Sequence, residues 1–125
     1  MRDGKHVILY VDDDQDMLDS VRAVLESNGY VMDEAPTGEE GLRVFKESRP
    51  DFLIVDLMME EIDAGTNFVK ELRVLGNTAP IYMLSSVGDG LSMVTDTAEL
   101  GLAGALQKPV DHRVLLDLLK AKLSG

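Results

Sequence analysis

The chain has 125 residues, which fits one domain with one core of appreciable size and excludes two full domains. Hydrophobic residues at 45% and charged residues at 28% are ordinary globular proportions, and they exclude a disordered tail. With 23 Asp plus Glu against 12 Lys plus Arg, the net charge of -11 repels nucleic acid and anionic membrane; the lack of cysteine and the presence of only two histidines leave oxygen as the main ligand for any metal.

Met1 to His6 leads into an apolar run broken by acid at Asp12, too short for a signal peptide or a membrane span, so a cytoplasmic location is expected. Apolar runs and amphipathic stretches then alternate five times, the pattern of a parallel sheet with crossover helices. His6 to Val11 reads as a buried strand because its apolar run is continuous and not alternating. Met17, Leu18, Val21, Val24 and Leu25 follow at helical spacing, and Asn28-Gly29 suits a left-handed helix exit. Tyr30 to Ala35 predicts a second strand, placed at an edge by Asp33 and Glu34.

Thr37 with Glu40 makes a capping box before Leu42 and Phe45, and Ser48-Arg49-Pro50 closes that second helix. Asp51 to Val55 is the third strand and delivers Asp56 at its carboxyl end. A loop through Glu60, Glu61, Asp63 and Gly65 leads to a helix marked by Phe68, Leu72 and Leu75. Ala79 to Leu84 forms a fourth strand running into Ser85-Ser86. Leu91, Val94 and Ala98 give the next helix a thin stripe, and Leu102 to Leu106 reads as a fifth strand stopped by Lys108-Pro109. Asp111 caps a final helix with a buried face of Val114, Leu115, Leu118, Leu119 and Leu123. Residues 1–125 are expected to form one domain.

Sheets of this kind place their ligand crevice outside the carboxyl ends of the strands, so Asp12-Asp13, Asp56, Ser85 and Lys108 belong together. Converging carboxylates repel by roughly 4 kcal/mol per pair at an effective dielectric of about 20, and a hard dication removes that conflict. Oxygen ligands at an open crevice suit Mg²⁺. Lys108 adds a cation and Ser85 a hydroxyl, both suited to phosphoryl oxygens, and a central Asp56 can then serve as nucleophile and carry an acyl phosphate. Taken singly, Asp56 is a turn cap, Ser85 a turn residue and Lys108 a surface lysine; their joint placement at strand ends is what points to a phosphoaspartate site.

VILYVDDD, DFLIVDLMM, APIYMLSS and LQKPV, in this order and spacing, resemble the receiver domain of bacterial two-component response regulators over about residues 5 to 123. The resemblance implies an α/β, flavodoxin-like three-layer sandwich, a doubly wound five-stranded parallel sheet of order 2-1-3-4-5 with two helices on one face and three on the other. It further implies Asp56 as phosphoacceptor, Mg²⁺ on Asp13, Asp56 and the Met58 carbonyl with Asp12 assisting through water, and Ser85 and Lys108 at the hydroxyl and lysine positions. A sensor histidine kinase or a histidine phosphotransfer protein is the implied phosphoryl donor.

The sequence departs from the family's pattern where Glu60 stands at a usual proline, where Asp63-Ala64-Gly65 carries one extra residue, and where Ala105 replaces a Tyr or Phe. With no output domain after the last helix, the expected output is binding of a protein partner, carried by the Ser85 to Asp89 loop and the helix after it. Asp12-x-Asp14 also matches the start of haloacid dehalogenase-type phosphatases, although Asp16 and the lack of room for a cap domain oppose it. A flavodoxin-type carrier lacks its phosphate loop here, and a receiver-like scaffold that takes no phosphate is the remaining alternative.

Overall fold

The computed structural model describes residues 4–56, 64–85, 103–107 and 110–123. Five parallel strands, β1 (Val7–Val11), β2 (Val31–Ala35), β3 (Phe52–Asp56), β4 (Ile81–Ser85) and β5 (Gly104–Gln107), form one sheet in the order β2-β1-β3-β4-β5. Four helices are described between and after them: α1 (Gln15–Ser27), α2 (Gly38–Ser48), α3 (Ala64–Val74) and α4 (His112–Leu123). The expected doubly wound order is the observed one.

Because successive strand residues face opposite sides, the central strands feed two separate cores. On one side Leu9, Val11, Leu53, Val55 and Met83 pack with Phe68, Val69 and Leu72 of α3 and with Leu42 and Phe45 of α2. On the other, Ile8, Tyr10, Phe52, Ile54 and Tyr82 pack with Leu18, Val21 and Leu25 of α1 and with Leu115 and Leu119 of α4. Every residue of β1 and β3 is buried, as the unbroken apolar runs predicted. β2 lies at the edge, with Asp33 and Glu34 half-buried.

Local signals act as read, with some shifts. Asp14 caps α1, accepting from the Asp16 and Met17 amides at 3.0 and 3.3 Å. At its other end Asn28 has φ -112°, and only Gly29, at φ +86°, is left-handed. Thr37 accepts from the Glu40 amide at 3.1 Å, while Arg43 Nη2 donates to the Glu40 carboxylate at 2.7 Å. Asp111 caps α4 through the Arg113 and Val114 amides.

Other expectations are corrected. Ala64 and Gly65, read as loop, open α3, whose inner face uses Val69; Leu75 lies past the helix end and is 42% exposed. Val114 is 52% exposed, because the buried stripe of α4 runs through Leu115 and Leu119 and leaves Val114 one step around the helix. The predicted helix carrying Leu91, Val94 and Ala98, the loop from Leu57 to Asp63, the Ser86 to Asp89 segment, Leu102, and Lys108-Pro109 lie outside the described residues.

Candidate functional site

Register brings the acids together. β1 and β3 run side by side with Val11 opposite Val55, so the next residue of each strand, Asp12 and Asp56, emerges at the same carboxyl edge. Hydrogen bonds at the far end hold that register: the Asp51 amide donates to the Val7 carbonyl at 2.7 Å, and the Val7 amide donates to Asp51 Oδ2 at 2.8 Å. The Asp12 amide donates to the Ala35 carbonyl at 3.0 Å, which carries the ladder one step beyond β1. Asp12 is 0% exposed and Asp56 2% exposed, the two buried charged residues described, and Asp13 beside them is exposed.

One carboxylate oxygen from each of Asp12, Asp13 and Asp56 lies within 4.8 Å of the others. Three negative charges that close, two of them withdrawn from water, are a steep electrostatic cost unless a cation or protons offset it. The donor set is all oxygen and opens to solvent through Asp13, which fits a hard, partly hydrated dication. Ser85 ends β4 with its backbone beside Gln107 of β5, and Lys108 follows Gln107 in the chain. Lys108 and Met58 themselves lie outside the described residues.

The strand adds a group that the sequence reading did not single out. The Tyr10 hydroxyl donates to Asp12 Oδ2 at 2.6 Å in the buried interior. Burial first, then the hydrogen bond and the charges of Asp12, Asp56 and Asp14, push the phenol pKa far up, so Tyr10 remains a donor. The signal was present: a phenol two residues before an acid in a strand shares its face, and a buried hydroxyl needs a partner. Asp12 Oδ1 accepts from the Asp14 amide at 2.9 Å, the start of α1.

A profile of the family described as the response regulator receiver domain matches residues 8–120. The chain belongs to this family. Solved structures agree: the receiver is similar to a putative response regulator from Chloroflexus aurantiacus J-10-fl, at 33% identity and TM-score 0.84, over 97% of this chain and 99% of that one. It is also similar to the chemotaxis protein CheY4 of Vibrio cholerae, at 29% identity and TM-score 0.86, over 96% and 100% of the two chains. Among curated proteins it is 32% identical to the transcriptional regulatory protein CseB of Streptomyces coelicolor, over 98% of this chain and 51% of that protein. The chain thus spans about half the length of the curated relatives it matches.

As a receiver domain of two-component response regulators, the chain is a signalling domain of a family that works with histidine kinases and binds Mg²⁺ at an acidic pocket. The phosphatase alternative is not favoured, since the second acid of its motif, Asp14, is engaged as the cap of α1. Among the described residues no helix is long and apolar enough to cross a membrane.

Proposed function

We propose that Asp56 accepts a phosphoryl group from a phosphohistidine of a sensor kinase or phosphotransfer protein, with Asp12, Asp13, Asp56 and the Met58 carbonyl forming the Mg²⁺ site. The observation that carries this reading is the convergence of two buried carboxylates and one exposed carboxylate within 4.8 Å at the carboxyl edge of the sheet. Bound Mg²⁺ would supply the positive charge that lets an anionic donor approach an anionic nucleophile.

The chain's own residues do the rest. An Asp56 carboxylate oxygen attacks phosphorus, the phosphorus–nitrogen bond of the donor breaks, and the imidazole leaves with the electron pair and takes up a proton. Buried at the end of a fully buried strand, Asp56 has little freedom, so the attack geometry is set before the donor arrives. Ser85, at the end of β4, and Lys108, which follows β5 in the chain, are assigned to phosphoryl oxygens as hydroxyl donor and cation. Residues 1–125 act as one receiver domain in the cytoplasm, and its phosphorylation is read by a protein partner and not by nucleic acid, which the charge of -11 disfavours.

Intact mass after incubation with acetyl phosphate tests the reading. The expected result is one added phosphoryl group that requires Mg²⁺ and disappears in Asp56→Asn. Labelling that persists in Asp56→Asn, or that is indifferent to EDTA, overturns it.

A further inference from the structure

Asp12 is held at both carboxylate oxygens. Its Oδ2 receives the Tyr10 hydroxyl at 2.6 Å and its Oδ1 receives the Asp14 amide at 2.9 Å. Tyr10 and Asp12 are each 0% exposed. The Tyr10 ring belongs to the core formed with α1 and α4, among Leu18, Val21 and Leu115, so its position is set by packing. The Asp14 amide is equally constrained, because the Asp14 side chain is committed to the first turn of α1. A carboxylate clamped in this way has little freedom to turn, and one of its oxygens lies within 4.8 Å of an oxygen of Asp13 and of Asp56.

We propose that Tyr10 is a positioning residue for the cation site, fixing the orientation of the Asp12 carboxylate from the core side so that the acidic cluster is ready to take Mg²⁺ or its hydrating water. The proposal rests on the reading of Asp12, Asp13 and Asp56 as the Mg²⁺ site. Partners one shell out from a metal fix the rotamer and the charge of its ligands, and their loss typically weakens binding by 10- to 100-fold. Tyr10 is buried and acts through Asp12, so its effect falls on the cation.

The test is Mg²⁺ titration of Tyr10→Phe, which keeps the ring and deletes only the hydroxyl, beside wild type and Leu25→Ala. Leu25 is in the same core, and its truncation reports what lost packing alone does. Tyr10→Phe is expected to raise the Mg²⁺ dissociation constant by about tenfold, with Leu25→Ala close to wild type. The extent of Asp56 labelling in Tyr10→Phe should recover at saturating Mg²⁺, the split that separates positioning of the cation from loss of the reaction. A dissociation constant in Tyr10→Phe equal to that of a wild type that binds overturns the role of Tyr10 alone, as does an equal rise in Leu25→Ala. Absence of Mg²⁺ binding by wild type overturns the cation site and this inference together. If Tyr10→Phe does not fold, wild type carrying ¹³Cζ-labelled tyrosine replaces it: the Tyr10 resonance is expected to shift with the same midpoint as Mg²⁺ binding, and a resonance that stays still while Mg²⁺ binds overturns the proposal.

Discussion

Glu34, on the edge strand, shows how a single residue reconciles charge with partial burial. Burial alone would raise its pKa, but Arg22 donates to Glu34 Oε1 through Nη2 at 2.7 Å and Nε at 3.2 Å, and Gln15 adds a third hydrogen bond. The opposing donors win, and the carboxyl is held below its ordinary 4.5. A group whose folded pKa is lowered contributes stability that is complete above the unfolded value and lost as pH falls through the folded one. Glu34→Gln should therefore lower stability at neutral pH by up to about 1 kcal/mol, since the pair is partly exposed and screened, and the difference from wild type should shrink below pH 4.5. Urea denaturation across pH checks it; a difference that grows on acidification contradicts the sign.

At the scale of elements, the sheet's far edge depends on one missing Cβ. Tyr82 of β4 stacks on Phe52 of β3, with ring centroids 5.2 Å apart and planes 8° from parallel. Gly104, opposite Tyr82 in the β4–β5 pairing, leaves space for that ring, and a Cβ there would lie 2.7 Å from Tyr82 Cε2. The stack on Phe52 limits how far the ring can yield. Gly104→Ala should then destabilise by about 1–3 kcal/mol, the usual range for overpacking, despite Ala's better strand behaviour. A midpoint of denaturation at or above wild type would show that β5 gives way instead. The same close approach recurs at Gly41 of α2, where a Cβ would meet Phe68 of α3 at 2.8 Å.

For the whole molecule, a net charge of -11 means that any added cation relieves self-repulsion, so a rise in melting temperature with MgCl₂ does not by itself identify a site. Ionic strength held constant with NaCl separates the two effects. A site that binds only the native state adds RT ln(1 + [L]/Kd), about 2.7 kcal/mol at one hundred times Kd. The expected outcome is Mg²⁺ stabilisation beyond matched NaCl in wild type, and its loss in Asp13→Asn, the variant at the exposed acid of the cluster. Equal stabilisation by the two salts would remove the cation from the account of this cluster.

Sequence by itself determined the sheet, because continuous apolar runs such as VILYV and FLIVD are buried on both faces and read as central parallel strands, while Asp33 and Glu34 mark an edge. It also placed Asp12, Asp13 and Asp56 together, since strand ends in such a sheet share one rim. Helical faces were less legible: Val114 and Leu75 carry the right residue type but are 52% and 42% exposed, and burial is a property of the neighbour as much as of the residue. Tyr10 was hidden for the opposite reason, counted as one more apolar position in β1 when its ring is indeed in the core. Only the tertiary structure decided that its hydroxyl reaches back to Asp12, because a contact between i and i+2 on one face depends on the side-chain rotamer that the packed core of α1 and α4 selects.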